Sequence, residues 1–221
     1  FSHVGDDSLY FNRRGTHGEH IGAYRDPHSP YFKWFTFRHW PDDYECWWGF
    51  KTLPNVNEMD EDYRRFILED DDSVVRHWVR KGTSGWRLDV ADELPDEFIK
   101  LLRNRIKELN PDALLLGEVW EDGSNKIAYS HRRRYLLGRE THGLMNYPLR
   151  TAALDYIRGG GAAAFRDTME EQRENYPPAA FYSGLNILGT HDTPRILTLL
   201  GADAIPDSKE ARAAYHLSPE N

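Results

Sequence analysis

An α/β fold, with parallel strands joined by helical crossovers, is predicted by three observations. After about residue 60, short apolar runs alternate with stretches of helical periodicity, the order that builds parallel strand pairs. Three of those runs carry a carboxylate just before loop-like sequence: Asp89 in 85–91, Glu118 in 114–120 and Asp192 in 186–193. The acids are also spaced as strand–helix repeats. Asp89 and Glu118 lie 29 residues apart, one unit, and Glu118 and Asp192 lie 74 apart, room for two. A (β/α)8 barrel gathers its functional groups at the carboxyl ends of different strands, where these acids fall. A doubly wound open sheet would do the same, but no Gly-rich phosphate loop follows any strand here.

From Val4 to about Asp60 no period of 2 or 3.6 persists, and the stretch is rich in Gly, Pro, His and aromatics. Its aromatic density argues for an irregular but folded excursion. The tryptophans there serve either a small core of their own or platforms for stacking sugar rings. Residues 60–81 read as helix, with Val74, Val75, Trp78 and Val79 on one face and Gly82 as the stop. The acidic run Glu69-Asp70-Asp71-Asp72 reads as solvated surface near a helix start. A strand at 85–90 and a helix at 95–109 follow, the helix opening with Pro95, Asp96 and Glu97 in its first turn. A strand at 113–119 leads into a polar loop whose His131-Arg132-Arg133-Arg134 reads as a solvated face. A short strand is expected at 143–147, with helices on both sides of Gly159-Gly160-Gly161. The last strand, 185–189, runs toward Thr193-Pro194, a cap and proline that start a helix ending near Gly201.

Bulk properties narrow the chemistry. The chain has 221 residues, enough for one sizeable core and a small second lobe. A net charge of −8 argues against nucleic acid as a partner. The single cysteine, Cys46, excludes an internal disulfide framework. Apolar runs fall well short of the roughly 18 residues that span a membrane. The chain opens at Phe1 rather than Met and closes on polar Ser218-Pro219-Glu220-Asn221, so it reads as an excerpt of a longer protein. Its location stays open, with the cytoplasm favoured.

The three acids suit a division of labour between a nucleophile and a proton donor. Arg87 lies two residues before Asp89, on the same strand face, and would keep the aspartate ionised. Glu118 sits among Leu114, Leu115, Leu116, Val119 and Trp120 with no basic neighbour in sequence, surroundings that favour a held proton. Asp192, beside His191, suits hydrogen bonding to hydroxyls and stabilising positive charge on a substrate. Plainer alternatives stand beside each reading. Asp89 and Arg87 make a structural ion pair, Glu118 caps a helix or sits in a loop, and Asp192 marks a helix N-terminus. A metal site from Asp89, Glu118, Asp192 and His191 is a further alternative, without supporting ligand spacing.

Together the motifs resemble the α-amylase family, glycoside hydrolase family 13. Gly85-Trp86-Arg87-Leu88-Asp89-Val90-Ala91 is similar to its nucleophile strand, and Gly117-Glu118-Val119-Trp120 to its acid/base strand. Gly189-Thr190-His191-Asp192-Thr193-Pro194-Arg195 is similar to its third catalytic segment, Phe1-Ser2-His3 to the end of its first motif, and Leu53-Pro54-Asn55-Val56-Asn57 to its extra motif. The resemblance implies a TIM barrel present here from about its third to its seventh strand, with residues 1–59 as the third strand's end and an inserted lobe, and 60–221 as the partial barrel. It implies a retaining hydrolase of α-1,4 or α-1,6 glucosidic bonds in maltodextrins, cyclodextrins or pullulan. Asp89 would be nucleophile, Glu118 acid/base and Asp192 transition-state stabiliser. Arg87, His191 and His3 would contact or orient the sugar, and Glu93 and Trp120 would shape the leaving-group side.

Val90-Ala91-Asp92-Glu93 and Met145-Asn146-Tyr147-Pro148-Leu149 are more similar to the neopullulanase, cyclomaltodextrinase and maltogenic amylase branch. Ser2 stands where the family usually has an Asn that often ligates calcium, so no metal or cofactor is carried over. The expected partner is an α-glucan oligosaccharide or polysaccharide, with no nucleic acid, no membrane, and a homo-oligomer allowed. A transglycosylase, in which a sugar hydroxyl replaces water, and a non-catalytic carbohydrate-binding or transporter-associated relative are the rival readings. The excerpt by itself cannot close an eight-stranded barrel and is expected to be inactive.

Overall fold

The computed structural model describes residues 1–202, 206 and 208–216; Ser218-Pro219-Glu220-Asn221 lie outside them. The first 59 residues are mostly turns, with one antiparallel pair, β1 (Phe37–His39) and β2 (Asp43–Tyr44). Ser2 and His3 do not join the main sheet: His3 bridges to Asn55, and Val56 N–H donates to the Ser2 carbonyl. Aromatic rings do the packing. Phe11 lies 4.9 Å from Phe35 and 4.6 Å from Tyr44, and Trp34 lies 5.1 Å from Tyr63.

The helix expected over 60–81 is broken. Helix α1 (Glu61–Arg64) runs into one π turn, Arg65–Glu69, and α2 (Val74–Arg80) starts afresh. Asp60 caps α1 by accepting from Tyr63 N–H, whereas three aspartates in a row, each a poor helix former, occupy the gap. Val75 is buried, but Trp78 is 51% exposed, so the four residues do not share one core face.

The regular part is a parallel sheet of β3 (Gly85–Leu88), β4 (Leu114–Gly117), β7 (Gly143–Asn146) and β8 (Leu185–Asn186), in that spatial order. Between β3 and β4 runs α3 (Asp96–Leu109), which buries Phe98, Ile99, Leu102 and Ile106, a stripe at helical spacing. Gly143 is required by close approach: a Cβ there would sit 2.4 Å from the Ser183 carbonyl. Helices α4 (Tyr147–Ile157) and α5 (Ala162–Asn175) flank the glycine run, and α6 (Pro178–Tyr182) precedes β8.

Of two expectations at the loops, one holds in part and one fails. The arginine loop contains a small hairpin, β5 (Ile127–Ala128) with β6 (His131–Arg132), and His131, Arg132 and Arg134 are exposed as expected, but Arg133 is only 7% exposed. Thr193-Pro194 does not cap the next helix, α7 (Ile196–Gly201), whose N-cap is Arg195; α8 (Lys209–Ala214) follows. Thr193 instead closes a turn, its hydroxyl accepting from Thr190 N–H at 2.9 Å.

One continuous core joins the irregular lobe to the sheet, with Phe11, Trp34 and Tyr44 in the same cluster as Leu88, Leu115 and α3. The lobe's tryptophans therefore divide: Trp34 is core, while Trp48 is exposed. Among the described residues, no helix is long and apolar enough to cross a membrane.

Candidate active site

Register brings the first two acids together. Leu88 on β3 pairs with Gly117 on β4, so Asp89 and Glu118, one residue further, emerge side by side at the same rim of the sheet. Glu118 N–H donates to the Leu88 carbonyl at 2.9 Å and Ala91 N–H to the Glu118 carbonyl at 3.1 Å, which extends the pairing past the strand ends.

Arg87 connects the two carboxylates. One guanidinium nitrogen donates to Asp89 Oδ1, and the other lies 2.8 Å from Glu118 Oε1. Its Nε donates to Met145 Sδ at 3.3 Å, which fixes the fork's plane from β7. The absence of a basic neighbour, expected for Glu118 from its own strand, is thus overturned by the adjacent strand. Glu118 is 4% exposed, and its Oε2 accepts from Val90 N–H at 2.8 Å while Oε1 accepts from Trp120 Nε1 at 3.2 Å. Asp89, by contrast, has a side chain 51% exposed. One acid is clamped and buried; the other is open.

Asp192 reaches the same place from beyond β8. With Asp89, Glu118, His191, Trp48 and Trp120 it lines a cavity of about 600 Å³. His191 Nε2 lies 3.3 Å from Asp192 Oδ2, and Asp192 N–H donates to Thr190 Oγ1 at 3.2 Å. Tyr147, pushed up by burial, sits 3.4 Å from that same threonine hydroxyl and stacks on Trp120 at 4.2 Å. A larger cavity, about 880 Å³, lies away from these acids among Asp96, Arg134, Arg139 and Glu140. The smaller one is the candidate because Asp89 and Glu118, just past adjacent strand ends, and Asp192, in the loop after β8, all line it.

The other expected site residues stand around this cavity rather than in its lining. Glu93 Oε1 accepts from Trp48 Nε1 at 2.9 Å and from the Tyr129 hydroxyl, so it braces the wall from behind. His3 lies 5.6 Å from Trp47, and burial, with the neighbouring α-amino group second, lowers its pKa. Trp47 and Trp48 stack face to face at 4.4 Å. Trp48, Tyr147, Lys126 and the Val90 amide were not picked out in the sequence as site groups; only the aromatic density near residue 48 signalled one of them.

Ser2 directs its hydroxyl at His3 Nδ1, 3.0 Å away, and among the described residues no group of three or more His, Cys, Asp or Glu could hold an ion.

Comparison with known proteins adds a lineage to this geometry. A family model described as "Alpha amylase, catalytic domain" matches residues 10–219. An amylopullulanase of Thermoanaerobacterium saccharolyticum is 32% identical over all of this chain and 19% of its own length. A cyclomaltodextrinase of Geobacillus thermopakistaniensis is 33% identical over 79% of this chain and 29% of its own. The solved cyclic α-maltosyl-(1→6)-maltose hydrolase of Arthrobacter globiformis superposes with a TM-score of 0.77 at 26% identity, over 92% of this chain and 43% of that one. The chain therefore spans less than a third of the length of these two curated relatives.

Proposed function

The chain belongs to the α-amylase family, and from that premise we propose that it is the central part of the catalytic barrel of a retaining α-glucan hydrolase. Residues 1–59 would supply the end of the third strand and the inserted lobe, and 60–221 the partial barrel. The names of its relatives point to α-1,4 and α-1,6 glucosidic bonds in maltodextrin, cyclodextrin or pullulan.

The observation that carries the reading is the single guanidinium of Arg87 between Asp89 and Glu118 at adjacent strand ends. Retaining glycosidases hold their two carboxyl groups only about 5–5.5 Å apart, too close for a water between the second carboxylate and the anomeric carbon, and one guanidinium reaching both side chains supports such closeness here. In the first step an Asp89 oxygen bonds to the anomeric carbon. The glycosidic C–O bond breaks, and Glu118 gives its proton to the departing oxygen. In the second, Glu118 takes a proton from water, whose oxygen displaces Asp89. Two inversions give retention.

The remaining groups serve the transition state. Asp192 opposes the positive charge that develops on the ring. Exposure of Asp89 suits attack on an incoming sugar, and the three contacts on Glu118 suit a group that must meet the same leaving oxygen at each turnover. Trp120 and Trp48 offer flat apolar faces to glucose rings.

The test is to incubate the full-length protein with maltodextrin, β-cyclodextrin and pullulan and follow the released anomer by NMR. The α-anomer is expected first; early β-anomer would refute retention. Asp89→Asn and Glu118→Gln should each lower kcat by about 10²–10⁴-fold or more, and a loss under tenfold in either would reject its assigned role. Adding maltose as acceptor separates hydrolysis from transfer, since only a transglycosylase would divert most of the product to longer chains.

A further inference from the structure

Arg133 sits in the run that sequence alone assigns to solvent, yet it is among the most completely enclosed charged residues described. Its guanidinium faces one short loop, residues 91–96, which follows the Asp89 strand. Nη2 donates to the Leu94 carbonyl at 2.6 Å and to the Ala91 carbonyl at 3.3 Å, Nη1 to the Asp92 carbonyl at 3.3 Å, and Nε lies 2.9 Å from Asp96 Oδ1. The next side chain but one, Tyr135, donates from its hydroxyl to Asp92, and its ring lies 4.9 Å below the Arg133 guanidinium. A buried cation thus supplies a donor to the Asp92 and Leu94 carbonyls and a second one to the Ala91 carbonyl, which also accepts from Leu94 N–H at 3.2 Å.

The loop so held begins at Val90, and Val90 is strained. Its φ of 38° and ψ of 68° lie in the left-handed region, which a β-branched residue rarely enters. That conformation turns its N–H onto Glu118 Oε2. Strain of this kind persists only where surrounding contacts over-determine it. The loop is also tied by Ala91 N–H on the Glu118 carbonyl, by Glu93 N–H on the Val90 carbonyl and by side chains on Asp92 and Glu93, but Arg133 alone among these side chains reaches the carbonyls of 91, 92 and 94 together.

We propose that Arg133 is a positioning residue for the acid/base: it clamps the 91–96 loop and so holds the left-handed Val90 amide against Glu118. The inference rests on the function proposed above, and it assigns Arg133 no contact with substrate.

A kinetic signature separates positioning of the acid from general loosening of the fold. Maltosyl fluoride needs little proton donation to its leaving group, whereas maltodextrin needs it fully, and kcat/KM reports the first bond-breaking step for both. In the full-length protein, Arg133→Ala should lower kcat/KM on maltodextrin by about 100-fold, the scale of a small misplacement of a reacting group. On α-maltosyl fluoride the loss should stay within about threefold of wild type, the difference following from the unassisted leaving group. Arg133→Lys, which keeps a charge beside Asp96 but loses the fork, should show the same pattern in milder form and carries the test if the alanine variant does not fold. Arg132→Ala, on the exposed neighbour, should leave both substrates unaffected. Equal losses on the two substrates in a folded variant, or no loss on either, would overturn the proposal. A crystal structure of the same variant gives a readout free of turnover: Val90 should leave the left-handed region and its N–H should part from Glu118. Retention of both features would refute the clamp even if the hydrolase reading stands, and absence of turnover in the wild type would sink that reading alone.

Discussion

Arg87 must satisfy two carboxylates at once, and the chemistry of its side chain explains why a lysine would not serve. A guanidinium is a planar fork whose separate N–H groups reach two acceptors in fixed directions, whereas an ammonium is a single point of charge. Glu118 adds two further donors, from Val90 and Trp120, so its orientation is held from three directions. Trp120 contributes twice, through its ring on Tyr147 and through Nε1 on Glu118. These contributions can be separated. Trp120→Phe keeps a ring and removes the donor, so kcat should fall by about tenfold, matching the roughly 1.5 kcal/mol of a hydrogen bond to a charged group. KM should hardly move. A raised KM at unchanged kcat would show that the ring matters and the N–H does not.

Among the elements, the short loop after β3 carries most of the consequence. Val90 in a left-handed conformation costs about 1–3 kcal/mol, and glycine would adopt the same angles freely at about 1 kcal/mol of backbone entropy. Val90→Gly is therefore expected to raise stability by up to about 2 kcal/mol on these figures, read from urea unfolding, while lowering kcat because the amide is no longer confined. Lower stability with unchanged kcat would contradict the picture of stored strain. The broken helix before β3 illustrates the opposite balance. The apolar spacing of 60–81 favours one helix, but Asp70, Asp71 and Asp72 interrupt it, and Trp78 on the second piece is exposed. Local propensity prevailed over a short apolar stripe.

At the level of the whole molecule, one core links the lobe to the sheet, and a few ionisable groups are trapped within it. Glu140 is 5% exposed, and its Oε2 has no hydrogen-bond partner among the described residues. Burial pushes its carboxyl up to about 7 from an ordinary 4.5, Asp96 adding to the shift and Arg133 and Arg134 opposing it. Below 4.5 the group is protonated both folded and unfolded and does not disfavour the native state. Between 4.5 and about 7 the folded chain holds the proton that the unfolded chain releases, so stability falls as pH rises through this window. Glu140→Gln should leave stability near pH 4.5 unchanged and raise it at pH 8, by an amount on the order of 3 kcal/mol. Urea unfolding of wild type and variant at the two pH values checks this; an equal effect at both would show that packing, not charge, decides.

Asp89, Glu118, Asp192 and the strand–helix alternation could be read directly from the chain, because side-chain period and strand-end acids are written in adjacent residues. So could Arg87 beside Asp89, two positions away on one strand. The second partner of Arg87, the burial of Arg133 and the placement of Trp48 in the cavity wall could not. Each depends on which segments become neighbours and in what register. That is settled by packing between residues far apart in the chain, about which a local pattern carries no information. In a run of three arginines nothing in the composition says that the middle one closes over the carbonyls of a loop while its neighbours face water, and only the folded arrangement of β3, β4 and the 120–142 segment decides it.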